Sequence, residues 1–275
     1  MTKPQILLTN DDGIRSPGLW AAAEALSSLG FVHVVAPRDQ FSGAGRSMPT
    51  TSDGIITPRE VRVNGKTWTV YAVGGTPAQT VQHAILEIMP EPPALVVSGI
   101  NYGENVGSGI TVSGTVGAAL EAAALGYPAL AASLETAQEH HLSYSEEVDF
   151  SAAAHFTLLL GRLLLEKKLP PDVHVLKLDV PSGATPETPW EITRVSRLPY
   201  FDPVKPQRES WKEPAIMGYT LGNGIERDSP DTDSYALRVK KVVSVSPLSL
   251  DLTSRVNLKE LEAKLAADPA ESETG

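Results

Sequence analysis

Residues 5–36, QILLTNDDGIRSPGLWAAAEALSSLGFVHVVA, predict a strand, a helix and a second strand. The apolar run at residues 5–9 has the length of a short buried strand. The helix is expected to begin after Ser16, because Pro17 suits the first helical position, and to stop at Gly30. The second strand is expected at residues 32–36 and is ended by Pro37. The stretch therefore predicts one βαβ unit with two parallel strands.

The same alternation of strands and helices continues to residue 180. A capping box of Thr76 and Gln79 marks one helix start, and a helix of small residues begins near Ser113. A β-hairpin is predicted around Asn64-Gly65. Further strands are expected at residues 94–98, 129–133 and 174–180, and a helix is expected at 148–167. The pattern predicts an α/β fold with a Rossmann-like, doubly wound, mostly parallel sheet.

The pattern changes after residue 182, which sets the predicted domain organisation. Residues 1–182 form the α/β core, residues 183–256 form a β-rich extension or arm, and residues 257–275 form a terminal helix and a disordered tail. The extension is rich in Pro, aromatic and charged residues, and its last strand is predicted at residues 239–247. We expect this irregular segment to pack on the core or on a partner subunit.

Composition excludes several classes of function. The 275 residues contain no Cys, which excludes disulfides, thiolate nucleophiles and Cys-ligated metals. With 23 basic and 33 acidic residues the net charge is −10, so a nucleic-acid polymer is not an expected partner. No apolar stretch has the length of a membrane span, and no leader is visible, so neither a membrane partner nor export is expected. The sequence predicts a cytoplasmic protein.

Three polar, Gly-rich loops follow strands of the predicted sheet and should meet at one edge. Asp11 and Asp12 follow the first strand, Ser42 follows the second, and Asn101 follows the strand at 94–98. Two carboxylates about 4 Å apart repel by about 4 kcal/mol at an effective dielectric constant of 20. One divalent cation, Mg²⁺ or Mn²⁺, suits these oxygen donors. The alternative is a plain turn at Asp12-Gly13 with Asp11 capping a neighbouring amide.

Ser113-Gly114-Thr115 opens the small-residue helix and is a candidate phosphate cradle. A helix start offers free N–H groups and the positive end of the helix dipole, and Gly114 permits close approach of an anion. The alternative is an ordinary N-cap formed by Ser113. The two interpretations are compatible.

Other motifs carry less weight. Gly65-Lys66-Thr67 lacks the earlier glycine of a P-loop, because Glu60 stands there. His140-His141 is predicted to be solvated. Asp231-Thr232-Asp233 is similar to the Asp-x-Asp of metal-dependent glycosyltransferases, but its polar surroundings favour a solvated loop.

Five motifs in order and spacing resemble those of the SurE family of nucleotidases. They are Leu8-Thr9-Asn10-Asp11-Asp12-Gly13-Ile14, Gln40-Phe41-Ser42-Gly43-Ala44-Gly45, Gly75-Thr76-Pro77-Ala78, Val97-Ser98-Gly99-Ile100-Asn101 and Ser113-Gly114-Thr115-Val116. The resemblance implies a SurE-like fold and a divalent-metal-dependent phosphatase. Its substrates would be nucleoside 5′- and 3′-monophosphates, with exopolyphosphatase activity as a further implied activity. It also implies arms exchanged between subunits in a homodimer or homotetramer.

The resemblance assigns the metal ligands to Asp11, Asp12, Ser42 and Asn101. In this interpretation water attacks in line without needing a Cys or Ser nucleophile, and Asp11 and Asp12 are candidates for accepting its proton. The sequence does not identify the general base, and a Ser-based phosphoenzyme is the open alternative. Asn10 and the Ser113-Gly114-Thr115 segment would stabilise the phosphate oxygens.

Two positions depart from the family pattern. Val112 replaces a polar or aromatic residue before Ser-Gly-Thr, and Lys177-x-Asp179 replaces Asn-x-Asn. Neither position is a predicted ligand. A nucleotide-binding regulatory module without hydrolysis and a glycosyltransferase with its chemistry at Asp231 and Asp233 remain alternatives.

Overall fold

The structure is a computed structural model that describes residues 3–63, 65–141 and 143–266. Its strands are β1 (Gln5–Thr9), β2 (Phe31–Pro37), β3 (Ile56–Val63), β4 (Lys66–Val73), β5 (Leu95–Tyr102), β6 (Ala129–Leu134), β7 (Val175–Val180), β8 (Trp190–Ile192), β9 (Phe201–Val204), β10 (Gly218–Leu221) and β11 (Val243–Leu248). Its α-helices are α1 (Pro17–Leu26), α2 (Pro77–His83), α3 (Gly114–Ala124), α4 (Ser151–Glu166), α5 (Asp233–Tyr235) and α6 (Leu258–Ala266).

A nine-stranded sheet in the order β3-β4-β2-β1-β5-β6-β7-β11-β8 forms the centre of the molecule. The strands from β4 to β7 are parallel to their neighbours, whereas β3 and β11 run antiparallel to β4 and β7. The chain order reverses at β1, which lies between β2 and β5. Ligands of doubly wound sheets bind at such a switch point, outside the carboxyl ends of the strands.

Helices cover both faces of the sheet and bury two apolar cores. On one face α1 and α4 contribute Leu19, Leu26 and Phe156 to the core. On the other face α2 and α3 contribute side chains that include Val81 and Val116. Most small residues of α3, among them Gly117, Ala118 and Ala122, are buried, which lets this helix lie close to the strands. The predicted α/β fold with a doubly wound, mostly parallel sheet is therefore confirmed.

Two predicted helix starts are confirmed in detail. Thr76 and Gln79 form the capping box, with each side chain accepting a backbone N–H of the other residue. Ser113 is the N-cap of α3, and its Oγ accepts the N–H of Val116 at 3.1 Å. Local side-chain chemistry therefore fixes where both helices begin.

The segment after residue 182 is built into the fold in two ways. Strands β8 and β11 extend the central sheet, whereas β9 and β10 form a separate antiparallel pair. A small apolar cluster joins this segment to the loop after β5 through Val106, Tyr200, Ile225 and Leu237. The predicted boundaries at 182 and 256 stay a prediction.

The prediction of a strand from residue 239 is wrong at its start. Residues Ala236–Lys240 form a π-helical turn that continues α5, and Lys241 adopts a left-handed φ of 53°. The strand therefore begins only at Val243. The predicted terminal helix is observed as α6, whereas the predicted disordered tail, residues 268–275, lies outside the described residues. Within the described ranges, no helix combines the length and apolarity needed to cross a membrane.

Candidate functional site

A cavity of about 490 Å³ lies at the carboxyl ends of the strands, beside the switch point. Four of the predicted site residues line it: Asp11, Ser42, Asn101 and Ser113. Asp12, Asn10, Gly114 and Thr115 are buried beside them and are not part of the lining. The structure thus brings the three predicted loops together, as their place after the strands indicated.

The start of α3 holds the Asp11 side chain. The Thr115 hydroxyl donates a hydrogen bond to Asp11 Oδ1. Gly114 is required here because a Cβ at that position would lie 2.7 Å from the Cβ of Asp11. Burial raises the pKa of Asp11, while the Thr115 hydroxyl and the N–H groups of Thr115 and Gly114 oppose the rise. The helix start therefore stabilises the charged form of this carboxyl.

Asp12 is held from the opposite side. Its Oδ1 accepts the Gln40 side-chain amide at 3.1 Å, and its Oδ2 accepts the Tyr102 N–H at 3.2 Å. Burial raises the pKa of Asp12 well above its ordinary value, and the negative charge of Asp11 adds to the rise. Ionisation of one of these two buried carboxyls therefore disfavours ionisation of the other.

The loop after β2 presents Ser42 to the cavity. The Phe41 N–H donates to the Asp11 carbonyl at 2.7 Å, and the Gly45 N–H donates to the Val112 carbonyl at 2.9 Å. A Cβ on Gly117 would lie 2.3 Å from the Gly45 carbonyl, so the loop packs directly on the backbone of α3. These backbone contacts set the position of Ser42.

Asn101 lies near the end of β5, where the register with β6 shifts between Ser98 and Asn101. Its Nδ2 donates to the carbonyls of Tyr102 at 3.2 Å and Gly103 at 2.7 Å. Within the described ranges, Asn101 Oδ1 accepts no hydrogen bond from the protein. The amide is thus oriented with a free acceptor oxygen.

These donors fit a hard divalent cation. Asp11 and Asp12 are buried, and no Lys, Arg or His of the described residues lies within 4.0 Å of either carboxylate. A buried carboxylate needs a positive charge nearby to compensate for its lost hydration. The described residues contain no cluster of three His, Asp or Glu side chains that could hold a metal, so a site here would combine two carboxylates with neutral oxygens. The assignment of Asp11, Asp12, Ser42 and Asn101 as ligands stays a prediction.

The structure shows side-chain bonds at Asn10 and Thr115 that the sequence did not indicate. Asn10 Nδ2 donates to the Gly13 carbonyl and Asn10 Oδ1 accepts the Gly13 N–H, both at 3.1 Å. This pair of bonds braces the turn that carries Asp11 and Asp12. The Thr115 hydroxyl is committed to Asp11. The predicted phosphate contacts of Asn10 and of Ser113-Gly114-Thr115 stay predictions.

An aromatic wall, formed by Phe201, Tyr219 and His141, lines another part of the cavity. Tyr219 meets Phe201 edge-on at 5.2 Å and stacks on His141 at 6.1 Å between ring centroids. The prediction that His141 is solvated is therefore wrong. Its Nδ1 lies 2.9 Å from the Tyr219 hydroxyl, and burial lowers its pKa. The hairpin β9–β10 creates this environment, and nothing near His141 in the sequence indicates it.

The prediction of a solvated Asp231-Thr232-Asp233 loop is right for Asp231 and wrong for Asp233. Asp231 forms an exposed ion pair with Arg194 at 2.9 Å. Asp233 is fully buried and lies 3.1 Å from Lys177, which also pairs with Asp179. We call Lys177, Asp179 and Asp233 the buried triad.

The buried triad supports the cavity. Asp179 accepts the Asn105 N–H at 2.7 Å, and Asp233 accepts the Gly107 N–H at 3.2 Å. Burial alone would lower the pKa of Lys177, but the charges of Asp179 and Asp233 outweigh it and raise that pKa. The departure Lys177-x-Asp179 is therefore a packing feature behind the cavity wall. The other departure, Val112, is 59% exposed and lines the cavity.

Glu104 is a cavity residue that the sequence did not single out. It is 8% exposed, and burial raises its pKa to about 7, with the charge of Glu135 adding to the rise. An acidic residue three positions after Asn101 was the only local signal. Perturbed buried carboxyls are enriched at functional sites.

Comparison with known proteins adds independent information. The model of the family described as "Survival protein SurE" matches residues 6–202. The chain is 44% identical over 265 residues to the 5′-nucleotidase SurE of Thermococcus kodakarensis, an alignment covering 96% of this chain and 100% of the relative. It is 38% identical to the 5′-nucleotidase SurE of Methanosarcina mazei, covering 95% and 98%.

A solved structure is similar as well. The crystal structure of the SurE protein from Aquifex aeolicus superposes with a TM-score of 0.73 at 31% identity, and the match covers 94% of this chain and 98% of that one. The similarity therefore extends over the core and the segment after residue 182.

Proposed function

Because the chain belongs to the SurE family, we propose that it is a 5′-nucleotidase that hydrolyses nucleoside 5′-monophosphates to nucleoside and phosphate with one divalent cation, Mg²⁺ or Mn²⁺. The metal dependence is inferred from one observation. Asp11 and Asp12 are both buried, and no cationic side chain of the described residues pairs with either of them. Activity on 3′-monophosphates and on polyphosphate is a further part of the proposal.

In this proposal, different residues would bind the cation, accept the proton of the attacking water and bind the phosphate. A divalent cation, when bound, neutralises phosphate charge and increases the acidity of water. Asp11, Asp12, Ser42 and Asn101 would hold it, and the Thr115 hydroxyl keeps Asp11 oriented toward the cavity. Asp11 or Asp12 would accept the proton of the attacking water. The Ser113 hydroxyl at the cavity surface would donate to a phosphate oxygen.

The aromatic wall supports a nucleotide rather than a small phosphate ester. The cavity volume of about 490 Å³ is in the range typical of small-molecule sites. Aromatic side chains stack on bases with little sequence preference, which suits substrates that differ in the base. The β9–β10 hairpin would thus bind the base while the carboxyl end of β1 binds the phosphate.

Phosphate release from a panel of nucleoside monophosphates tests the proposal. We expect release from 5′-monophosphates with Mg²⁺ or Mn²⁺ and none in EDTA. Including 3′-monophosphates and polyphosphate in the same panel tests the finer activities separately. Tight binding of nucleotides without phosphate release in the presence of any metal would instead support a regulatory module.

A cytoplasmic location, expected from the sequence, stays a prediction.

Gly114→Ala tests how strictly Asp11 is positioned. The added Cβ would lie 2.7 Å from the Cβ of Asp11 and 2.8 Å from its Oδ2, so the carboxylate must move. A misplacement of about 1 Å costs on the order of 10²-fold in rate. We expect kcat/KM for phosphate release to fall by about that factor without loss of the folded state. Gly109→Ala is the matched control, since a Cβ at Gly109 meets no atom within 4 Å. Equal activity of the two variants would contradict this positioning role.

We also propose that the protein assembles as a homodimer or homotetramer through the segment after residue 182. Trp211 and Ile216, between β9 and β10, are 95% and 92% exposed. Helix α6 buries none of its side chains in its own subunit, although Leu258, Leu261 and Leu265 share one face. An isolated helix of nine residues is marginal in water, so a second copy of the chain is the expected packing partner.

Leu261→Asp combined with Leu265→Asp should weaken this assembly. Both leucines lie on the apolar face of α6, so charges there oppose burial against a second copy. We expect light scattering after size exclusion to give a dimer or tetramer for the wild type and a smaller species for the double variant. Ala263→Asp, on the opposite face, should leave the mass unchanged. A monomeric wild type would overturn the proposal.

A further inference from the structure

Gln40 joins two loops beside the proposed cation site. Its side-chain Nε2 lies 3.1 Å from Asp12 Oδ1 and 3.0 Å from the carbonyl oxygen of His141. Gln40 belongs to the loop after β2, Asp12 to the turn after β1, and His141 to the loop between β6 and α4. One amide group thus connects three segments that are far apart in the chain.

The two acceptors fix the orientation of the Gln40 amide. An ionised carboxylate and a carbonyl oxygen accept hydrogen bonds and donate none. The amide nitrogen carries two hydrogens, so it donates one to Asp12 and the other to the His141 carbonyl. A flipped amide would place its oxygen against two acceptors, which excludes that orientation. Both hydrogens of the amide are therefore committed.

The Asp12 carboxylate has one side-chain donor among the described residues, and this donor is Gln40. The other donor is the backbone N–H of Tyr102, at 3.2 Å from Oδ2, which a side-chain substitution does not remove. Asp12 is 1% exposed, so bulk water has little access to replace a lost donor. The direction of this carboxylate therefore depends on Gln40, as that of Asp11 depends on the Thr115 hydroxyl.

The residues that follow Gln40 connect the same loop to the rest of the proposed site. The Phe41 N–H donates to the Asp11 carbonyl at 2.7 Å, and Ser42 lines the cavity. Gln40 thus lies where its side chain sets the Asp12 carboxylate relative to Asp11 and Ser42. These are three of the four proposed ligands.

We propose that Gln40 is a positioning residue that holds the Asp12 carboxylate in the orientation needed for the divalent cation. This inference rests on the proposed cation site. Groups that hydrogen-bond to the ligands of a metal ion orient those ligands, and their removal typically weakens metal binding by about 10- to 100-fold. The His141 carbonyl holds the amide in turn, so the loop between β6 and α4 contributes to the cation site without reaching the cation.

The affinity of the nucleotide-free protein for Mn²⁺, measured by electron paramagnetic resonance, tests the proposal. Gln40→Met keeps an unbranched side chain but has no hydrogen to donate, so its dissociation constant for Mn²⁺ should rise by about 10- to 100-fold. Gln82→Met is the matched control and should keep the wild-type affinity. Gln82 donates to the buried carboxylate of Glu121 at 2.8 Å, and neither residue lines the cavity. Wild-type affinity in Gln40→Met, or equal weakening in the two variants, overturns the proposal.

Phosphate release at increasing Mn²⁺ concentration distinguishes positioning from a general loss of structure. The half-saturating Mn²⁺ concentration of Gln40→Met should rise by the same factor as the dissociation constant, and saturating Mn²⁺ should recover much of kcat. A lower kcat with an unchanged half-saturating concentration would contradict the proposal. Gln40→Asn keeps the amide on a shorter side chain and should bind Mn²⁺ with intermediate affinity. It replaces Gln40→Met in both measurements if that variant does not fold.

Mn²⁺ binding also separates this inference from the proposed nucleotidase activity, because it needs neither nucleotide nor hydrolysis. If no monophosphate is hydrolysed, the proposed activity fails, and the Mn²⁺ affinities still decide the role of Gln40. A wild type that hydrolyses monophosphates without binding Mn²⁺ would reject the role of Gln40 and leave the nucleotidase activity standing.

Discussion

Asp11→Asn should lower kcat/KM for phosphate release from nucleoside 5′-monophosphates on the order of 10³-fold or more. The substitution keeps the shape of the side chain and its acceptor for the Thr115 hydroxyl, but it removes the charge that Asp11 presents to the cavity. Under the proposed function, loss of that charge would weaken cation binding and the stabilisation of phosphate in the transition state. Phosphate release should be measured with saturating Mg²⁺ and Mn²⁺, because a saturating concentration compensates in part for weaker binding of the cation to the variant.

The same variant should remain folded. The charge of Asp11 raises the pKa of Asp12, so removing it relieves repulsion between two buried groups. We therefore expect the metal-free Tm of Asp11→Asn to equal or exceed that of the wild type, while Mn²⁺ binding followed by electron paramagnetic resonance weakens. Asp39→Asn changes an exposed aspartate that pairs with Arg38 and should behave as wild type. Retained activity in Asp11→Asn would contradict the assigned site, and loss of activity only in Asp231→Asn would favour the glycosyltransferase alternative.

Lys177→Met should lower the free energy of unfolding by about 3–5 kcal/mol, the typical cost of removing one partner from a buried ion pair. Lys177 has no exposed surface and pairs with Asp179 and with Asp233 at 3.1 Å. Met fills a similar volume but leaves two carboxylates buried without a cation. Urea unfolding at neutral pH measures the difference, and phosphate release should also fall because Asp179 and Asp233 hold the backbone of Asn105 and Gly107 beside the cavity.

Two further variants distinguish the charge of Lys177 from its packing. Lys240→Met removes a partly exposed ion pair with Glu191 at 2.6 Å, and it should cost less than about 1 kcal/mol. Neutralising all three groups, by Lys177→Met with Asp179→Asn and Asp233→Asn, should recover much of the loss because no uncompensated charge remains. If Lys177→Met costs no more than Lys240→Met, the buried triad does not stabilise the fold through its charges.

Local patterns carried most of the fold prediction. The alternation of strands and helices, the caps at Thr76 and Ser113, and the small residues of α3 each depend on residues close together in the chain. The strand wrongly predicted from residue 239 shows the limit of such patterns. Its first two residues, Val239 and Lys240, belong instead to the π-helical turn Ala236–Lys240, in which Ala236 and Leu237 are fully buried.

The sequence by itself determined the α/β alternation, the family resemblance and the set of oxygen donors at the carboxyl ends of β1, β2 and β5, because parallel strands place these ends and the loops that follow them at one edge. Only the tertiary structure decided the burial and the contacts of His141, Glu104 and Asp233. Each of these residues lies in a stretch that is polar in sequence, and each contacts a segment far away along the chain: His141 contacts β10, Glu104 lies beside Tyr200, and Asp233 pairs with Lys177. Burial and the charge of a distant neighbour set the ionisation and contacts of such a group, and neither follows from the residues next to it in the sequence.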